Sequence, residues 1–198
     1  MEKKKFIIDS LNESAETKKK ILSECVDDIE KAVDLLADSF RKGKKLLLCG
    51  NGGSAADCQH LATELMVRLS HNIVRPAVPA IALTTDTSNL TAGGNDIGYE
   101  NIFARNVEGL GNEGDVLLAI STSGNSVNVI KAVEKAVSMD MKVIAFLGGT
   151  GGRLKSMVDI PVVIPSSNVQ RIQEGHITVG HIIVELVEEE LYGDSELI

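Results

Sequence analysis

The chain has 198 residues, of which 43% are hydrophobic and 24% charged, and its formal net charge is −8. This composition and length are typical of one globular domain and exclude a largely disordered chain. Aromatic residues make up only 3% and the charge is acidic, which argues against a protein that binds nucleic acid through base stacking or phosphate contacts.

The first 43 residues contain no proline and no glycine before Gly43. Apolar residues recur there at steps of three and four, and this spacing predicts two amphipathic helices. The clearest stripe consists of Val26, Ile29, Val33, Leu36 and Phe40. Because such helices need a partner surface, we expect residues 1–43 to support oligomerisation.

From residue 44 onwards, apolar runs alternate with helical stretches. The runs are 46–49, 80–83, 116–120, 143–147 and 160–164, and the candidate helices are 54–69, 99–109, 126–139 and 168–191. Continuous apolar runs are typical of strands covered on both faces, and strand–helix alternation predicts a parallel sheet with right-handed crossovers. Pro161 assigns the last strand to an edge, because proline cannot donate to the strand ladder. We predict one domain over residues 1–198, with an N-terminal helical pair over 1–43. After this pair we predict an α/β core over 44–198, which forms a three-layer sandwich with a long C-terminal helix.

Several features bear on location. No apolar run approaches the roughly 20 residues that span a bilayer, and the N-terminus lacks the apolar core of a signal peptide. The three cysteines are odd in number and form no Cys-x-x-Cys pair, so we expect a reducing, cytoplasmic compartment and no membrane partner. We expect the acidic C-terminus to be solvated and frayed; it comprises residues 188–190 with Asp194 and Glu196.

Ligands of an open parallel sheet bind beyond the carboxyl ends of the strands. Residues 50–54 (Gly-Asn-Gly-Gly-Ser) follow the first strand and open a helix, where backbone N–H groups can approach an anion. The spacing also fits a loose dinucleotide fingerprint, but the acid that should follow the second strand, Asp86, comes too late. The alternative is a tight turn in which Ser54 caps the helix.

A second loop, residues 121–126 (Ser-Thr-Ser-Gly-Asn-Ser), follows a buried strand and precedes a helix. Its four hydroxyls and one glycine at a helix N-terminus form a cup of neutral donors that suits a phosphate monoester. The alternative is a capping residue within a Ser/Thr-rich loop. We favour phosphate binding, because capping needs only one hydroxyl.

Four polar residues have the spacing of metal ligands or acid–base groups. His60 and Glu64 share a helix face, and Gln173 and His181 lie about two turns apart on the last helix. Zinc accepts such nitrogen and oxygen ligands, although spacing alone does not separate a metal site from a charged pair or a surface histidine. The two remaining histidines lack such company, and we interpret them as structural or exposed: His71 and His176.

These segments together resemble one family. The matching residues are 50–54, 94–96 (Gly-Asn-Asp), 121–126, 171–174 (Arg-Ile-Gln-Glu), His176 and His181. They look like a sugar isomerase (SIS) domain and, more narrowly, a phosphoheptose isomerase, over almost the whole chain. The serine loop is shared across SIS domains, whereas the combination of His60 and Glu64 with Gln173 and His181 is more specific.

The resemblance implies a five-stranded parallel sheet in flavodoxin-like order and a homotetramer with active sites at subunit interfaces. It implies conversion of D-sedoheptulose 7-phosphate to D-glycero-D-manno-heptose 7-phosphate, the first step towards ADP-heptose and the lipopolysaccharide core. One Zn²⁺ per subunit would be held by His60, Glu64, Gln173 and His181, and Glu64 and His181 would be the acid–base pair. The residues implied to bind substrate are Asn51, Gly52, Gly53, Ser54, Glu64, Asn95, Asp96, Ser121, Thr122, Ser123, Ser126 and Gln173.

The chemistry of these side chains agrees with that activity. Aldose–ketose interconversion through an enediol needs an acid–base group near each carbon and a stabilised oxyanion. A glutamate that ligates zinc is a poorer base, so either Glu64 leaves the metal during turnover or the metal mainly organises the site. We favour Glu64 as the proton shuttle, with His181 serving the second proton or ring opening.

Two other functions compete with this one. A non-catalytic SIS protein would bind a phosphosugar or the replication initiator, and we expect it to lack the full acid–base and metal set. A sugar-phosphate sensor or another phosphosugar isomerase would share the phosphate cup.

The glycine content departs slightly from the family pattern. Residues 148–152 are richer in glycine than we expect, and Gly175 and Gly180 lie inside the last helix, where each costs ~1 kcal/mol against alanine. We expect these two glycines to allow close packing against another chain.

Overall fold

The computed structural model describes residues 2–69 and 73–193. The helices are α1 (Lys3–Glu24), α2 (Val26–Arg41), α3 (Gly53–Met66), α4 (Thr87–Asp96), α5 (Ile102–Leu110), α6 (Val127–Ser138) and α7 (Val169–Tyr192). Short 3₁₀ turns span Tyr99–Asn101 and Arg153–Ser156. The strands are β1 (Leu46–Gly50), β2 (Ala80–Ala82), β3 (Val116–Ser121), β4 (Lys142–Gly148) and β5 (Ile160–Ile164).

The five strands form one parallel sheet in the order β2-β1-β3-β4-β5, which is the flavodoxin-like order. The register pairs Leu46 with Ala80 on one side and with Val116 on the other. Alternate residues of each central strand face opposite layers, and both faces are buried. Leu46 and Leu48 pack with α1, α2, α3 and α7, whereas Leu47 packs with α5 and α6. The predicted three-layer α/β architecture is confirmed.

The edge position of β5 is also confirmed. Among the described strands it pairs with β4 alone, and Pro161 is its second residue. Burial alternates along β5, while all six residues of β3 in the middle of the sheet are buried. The continuous apolar runs therefore reflect coverage on both faces, which is complete only in the centre of the sheet.

One helix was absent from the sequence-based prediction. No residue of α4 is buried, and the helix contains Gly93 and Gly94, so no apolar stripe marks it. Its start is signalled instead by Asp86, whose carboxylate accepts a 2.9 Å hydrogen bond from the backbone N–H of Asn89. This is an ordinary N-cap.

The packing of α7 corrects two expectations. A Cβ atom at Gly180 would lie 2.8 Å from Leu61, and one at Gly175 would lie 2.8 Å from Ile164, so both glycines allow close packing within the chain rather than against another one. Glu188, expected to be solvated, is 1% exposed, because it pairs with a buried arginine. Asp194 and Glu196 lie outside the described residues. Within the described part of the chain, no helix has the length and apolar character needed to cross a membrane.

Candidate active site

The strand order reverses beside β1, where a ligand crevice is expected. From β1 the chain continues to β2 on one side of the sheet, and then crosses to β3 on the other side. Ligands of open α/β sheets bind at such a switch point, beyond the carboxyl ends of the two strands. The glycine-rich loop after β1 and the serine loop after β3, residues 121–126, flank this crevice.

The loop after β1 is held in place by amide groups. Asn51 and Asn128 exchange side-chain hydrogen bonds of 2.9 and 2.8 Å, and the Tyr99 hydroxyl donates a 3.0 Å bond to the Asn51 side-chain oxygen. Asn128 is the second residue of α6, so these bonds tie the loop after β1 to the start of the helix that follows the serine loop. Gly52 has a φ of 57° and caps α3 without a side chain. The alternative in which Ser54 caps the helix is therefore wrong, and Ser54 is a buried residue of the first turn.

The serine loop turns back against the loop that follows β4. Gly124 has a φ of 64°, and a Cβ atom there would overlap the carbonyl oxygen of Gly151. The Leu154 N–H also donates a 3.1 Å bond to the Gly124 carbonyl. This contact accounts for Gly148 and Gly152 of the glycine-rich segment 148–152, because a Cβ atom at either would lie within 2.7 Å of a serine-loop carbonyl oxygen, that of Thr122 or Ser123.

The hydroxyl groups of the serine loop make no capping bonds to α6. Ser126 occupies the N-cap position of α6, as the capping alternative expects, but its side chain makes no capping bond. Its Oγ lies 3.1 Å from the Oγ of Ser121, and the exposed Ser123 accepts a 3.2 Å bond from the Asn125 N–H. Thr122 is half-buried between them. The loop therefore presents a row of neutral polar groups at the N-terminus of α6, as a phosphate site requires.

Two further predicted substrate residues lie at the end of α4. Asn95 and Asp96 are exposed and joined to each other by a 2.6 Å hydrogen bond. Tyr99, three residues after Asp96, contacts Asn51. This segment thus lies beside the first crevice loop, although neither side chain makes a described contact with the serine loop.

The histidines of α3 and α7 meet at the contact between these helices. His60 Nε2 lies 2.7 Å from His181 Nε2 and 3.5 Å from Glu64 Oε1. One ligand atom from each of the three side chains lies within 4.8 Å of the others. Residues separated by 121 positions in the chain are brought together because α3 and α7 pack side by side, with Leu61 against Gly180.

This trio, His60, Glu64 and His181, fits a zinc ion by its donor chemistry. Two imidazole nitrogens and a carboxylate oxygen converge, and these are ligand atoms that zinc accepts. The Gln173 amide lies against Gly53, at the start of the helix that carries His60 and Glu64. This position places it beside the first crevice loop, and its role as a fourth ligand stays a prediction.

Comparison with known proteins agrees with this geometry. The SIS domain family model matches residues 11–148. A phosphoheptose isomerase of Pelodictyon phaeoclathratiforme is 50% identical over 183 residues, which is 92% of this chain and 87% of that protein. A phosphoheptose isomerase of Clostridium acetobutylicum is 48% identical over 97% of this chain and 98% of its own length.

The solved structure of a phosphoheptose isomerase from Francisella tularensis superposes with a TM-score of 0.92 and 38% identity, covering 96% of this chain and all of that one. This chain belongs to the phosphoheptose isomerase family of SIS-domain proteins. The family assignment and the isomerase activity expected from the sequence are confirmed.

One half-buried acid beside the histidines escaped the sequence analysis. Asp57 lies on α3, one turn before His60, and its Oδ2 atom is buried without a hydrogen-bond partner among the described residues. Burial raises the pKa of the Asp57 carboxyl, while nearby His60 and His181 oppose the rise. Its position three residues before His60 was the signal in the sequence that could have identified Asp57. Tyr99 and Asn128 were also missed, because no motif marks them.

Of the other two histidines, the structure describes His176 but not His71. His176 is buried, and its Nε2 donates a 2.9 Å hydrogen bond to the Leu147 carbonyl at the end of β4. Burial lowers its pKa to about 4 and so keeps the ring neutral. The structural interpretation of His176 is confirmed, whereas His71 lies outside the described residues.

Proposed function

We propose that this protein interconverts D-sedoheptulose 7-phosphate and D-glycero-D-manno-heptose 7-phosphate through an enediol. The observation that carries the proposal is the juxtaposition of a carboxylate and two imidazoles within 4.8 Å, on helices α3 and α7, which pack against each other. A non-catalytic SIS protein has no need of such a set. The isomerase therefore fits the geometry better than a binding module does.

Glu64 and His181 have different roles in the proposed reaction. Ketose-to-aldose conversion removes a proton from the carbon next to the carbonyl, and returns a proton to the neighbouring carbon. The Glu64 side chain is 17% exposed and faces the histidines, so its carboxylate is shielded enough to accept and return that proton. His181 lies on the opposite helix and is placed to exchange hydroxyl protons or assist ring opening.

Zinc belongs to the proposal, at one ion per subunit. His60, Glu64 and His181 would hold it, with Gln173 as the fourth ligand implied by the family. When bound, the ion would supply positive charge to the sugar oxygens. In the protein itself, His60 Nε2 already lies 2.7 Å from His181 Nε2 and 3.5 Å from Glu64 Oε1.

The rest of the substrate would lie along the crevice. Ser121, Thr122, Ser123 and Ser126 would bind the phosphate through hydroxyls and the start of α6. The sugar hydroxyls would face Asn51, Gly52 and Gly53, with Asn95 and Asp96 on the neighbouring segment. Support comes from the Asn51–Asn128 bonds, which hold the loop after β1 against the start of α6.

One assay tests the activity directly. Purified protein is mixed with sedoheptulose 7-phosphate, with and without a chelator, and the aldose is detected by NMR. We expect aldose formation that falls at least tenfold with chelator and in Glu64→Gln, because that variant removes the carboxylate base. Glu134→Gln, an exposed acid on α6, is the matched control and should keep full turnover. Near-normal turnover in Glu64→Gln would remove Glu64 from the mechanism.

A homotetramer is also part of the proposal. An apolar groove runs between α1, α2 and α7, and its wall includes Leu22, which is 73% exposed. Further exposed apolar side chains follow along the start of α1: Phe6, Ile7, Ile8 and Leu11. Apolar surface of this extent is typical of a protein–protein interface. The groove adjoins α7, which carries His181, so assembly and the site share one helix.

Light scattering tests the assembly. Leu22→Glu should lower the mass from that of a tetramer, because a charge would be buried at the interface. Lys20→Glu, an exposed position two residues earlier, makes a larger change of charge and should leave the mass unchanged. A tetramer that persists in Leu22→Glu would exclude this groove as the interface.

The proposed location and pathway follow the chemistry. The three cysteines are free and buried, as expected in a reducing compartment, and this supports a cytoplasmic enzyme. Its product would enter ADP-heptose synthesis for the lipopolysaccharide core.

A further inference from the structure

Arg75 and Glu188 form a buried ion pair behind the site. Their side chains are 0% and 1% exposed, and Glu188 Oε1 lies 2.5 Å from Arg75 Nη2 and 2.7 Å from Nε. Removing two charges from water costs several kcal/mol per ion before their attraction is counted, so a buried ion pair adds little net stability to the fold. Its position relative to the catalytic residues gives it another use.

The arginine holds the end of the helix that carries the proposed base. Arg75 donates 2.7 Å hydrogen bonds from Nη2 to the Glu64 carbonyl and from Nη1 to the Leu65 carbonyl. These carbonyls belong to the last turn of α3, where no further helical N–H is available to them. The guanidinium thus fixes the peptide group of Glu64 itself.

The glutamate belongs to the opposite helix. Glu188 lies seven residues after His181 on α7, about two turns along the same face. It also accepts a 3.2 Å bond from the Leu69 N–H, just beyond the end of α3. A single carboxylate on α7 therefore binds the guanidinium that holds Glu64 and the backbone that follows α3.

The ion pair completes a set of contacts along the α3–α7 interface. Gln173 meets Gly53 at the start of the interface, and Leu61 meets Gly180 in the middle. Small residues at these two contacts permit close approach but do not by themselves fix how the helices slide past each other. The Arg75–Glu188 pair adds directional, charge-assisted bonds at the far end.

We propose that Arg75 and Glu188 are positioning residues that set the register of α3 against α7, and with it the separation of Glu64 from His181. The inference rests on the proposed isomerase function. Catalysis is sensitive to such a device, because a displacement of about 1 Å at the reacting groups can cost about 10²-fold in rate.

The test separates positioning from stability. A single substitution would leave one buried charge unpaired and could unfold the protein, so the main variant is the double replacement Arg75→Met/Glu188→Leu. We expect it to unfold at a denaturant concentration close to that of the wild type. We also expect kcat to fall at least tenfold, with KM within twofold, because the phosphate loop belongs to β3 and α6.

A second measurement does not depend on turnover. Competition with a chromophoric chelator should give a zinc dissociation constant at least tenfold weaker in the double variant, because the ligands His60 and Glu64 would shift relative to His181. The control is Lys45→Met, which breaks the ion pair with Asp115 at the amino end of the sheet. It should lower stability and leave both kcat and zinc affinity unchanged.

A folded double variant with wild-type kcat and zinc affinity would overturn the proposal. If the double variant does not fold, Arg75→Lys is measured, since it keeps the charge but cannot reach Glu188 and both carbonyls together. A tenfold lower kcat in Arg75→Lys then supports positioning, and an unchanged kcat overturns it. A wild-type protein that does not isomerise the sugar would refute the proposed function, and the zinc comparison would then decide the positioning role.

Discussion

His176 should make the stability of this protein fall as the pH drops below neutral. Its ring is buried beneath α7 and donates a hydrogen bond to the Leu147 carbonyl, while Nδ1 is buried without a hydrogen-bond partner among the described residues. Protonation would place a charge in this apolar environment. The substitution that isolates the effect is His176→Gln, because a glutamine amide can still donate to Leu147 but does not titrate.

The size of the effect follows from the pKa shift. Burial lowers the pKa of His176 from 6.5 to about 4, and the bond to Leu147 opposes this only partly. Between these pH values the unfolded chain binds a proton that the folded chain does not, so stability is complete above pH 6.5 and is lost as the pH falls towards 4. At about 1.4 kcal/mol per pH unit, the loss is about 2 kcal/mol at pH 5 and about 3 kcal/mol in total.

The assay is urea unfolding at pH 7.5 and pH 5 at one protein concentration, since assembly also affects the apparent stability. The wild type should lose about 2 kcal/mol more than His176→Gln between the two conditions. The carboxylates titrate in both proteins and cancel in the comparison. An equal loss in the two proteins would refute the assignment of a buried, neutral imidazole.

The remaining predictions concern the serine loop. Ser123→Ala should raise KM for the phosphorylated sugar about three- to tenfold with little change in kcat, because the exposed hydroxyl would contact phosphate rather than the reacting carbons. The control is Ser138→Ala on α6, which should leave KM unchanged. An equally unchanged KM in Ser123→Ala would exclude Ser123 from the phosphate site. Gly124→Ala should lower the free energy of unfolding by at least ~2 kcal/mol, because a Cβ atom would be strained at φ 64° and would overlap Gly151. Gly109→Ala, in open space on α5, should be neutral or stabilising in the same denaturation experiment, and a similar result for the two variants would contradict the close approach of the loops.

Local pattern was sufficient for the sheet and its loops. Each strand was marked by a continuous apolar run, and Pro161 identified β5 as an edge, because both signals depend only on neighbouring residues. The serine loop was located for the same reason. Helix α4 was missed because it buries none of its residues and so has no apolar stripe, and only the capping residue Asp86 marked its start.

Long-range packing was beyond the sequence-based analysis. Glu188 was interpreted as part of a solvated acidic end, because nothing within a few residues indicates that Arg75, 113 positions away, neutralises it. Gly180 was assigned to a contact between chains, although Leu61 of the same chain occupies the space beside it.

The sequence by itself determined the fold class and the family, since both follow from residue types and their local spacing, and it predicted a set of site residues. The tertiary structure decided which of those residues meet. His60 lies on α3, which follows the first strand, and His181 lies on α7, which follows the last strand. Their nitrogen atoms lie 2.7 Å apart because α3 and α7 pack together over one face of the sheet. That packing depends on many weak contacts between distant residues, so no short stretch of sequence encodes it.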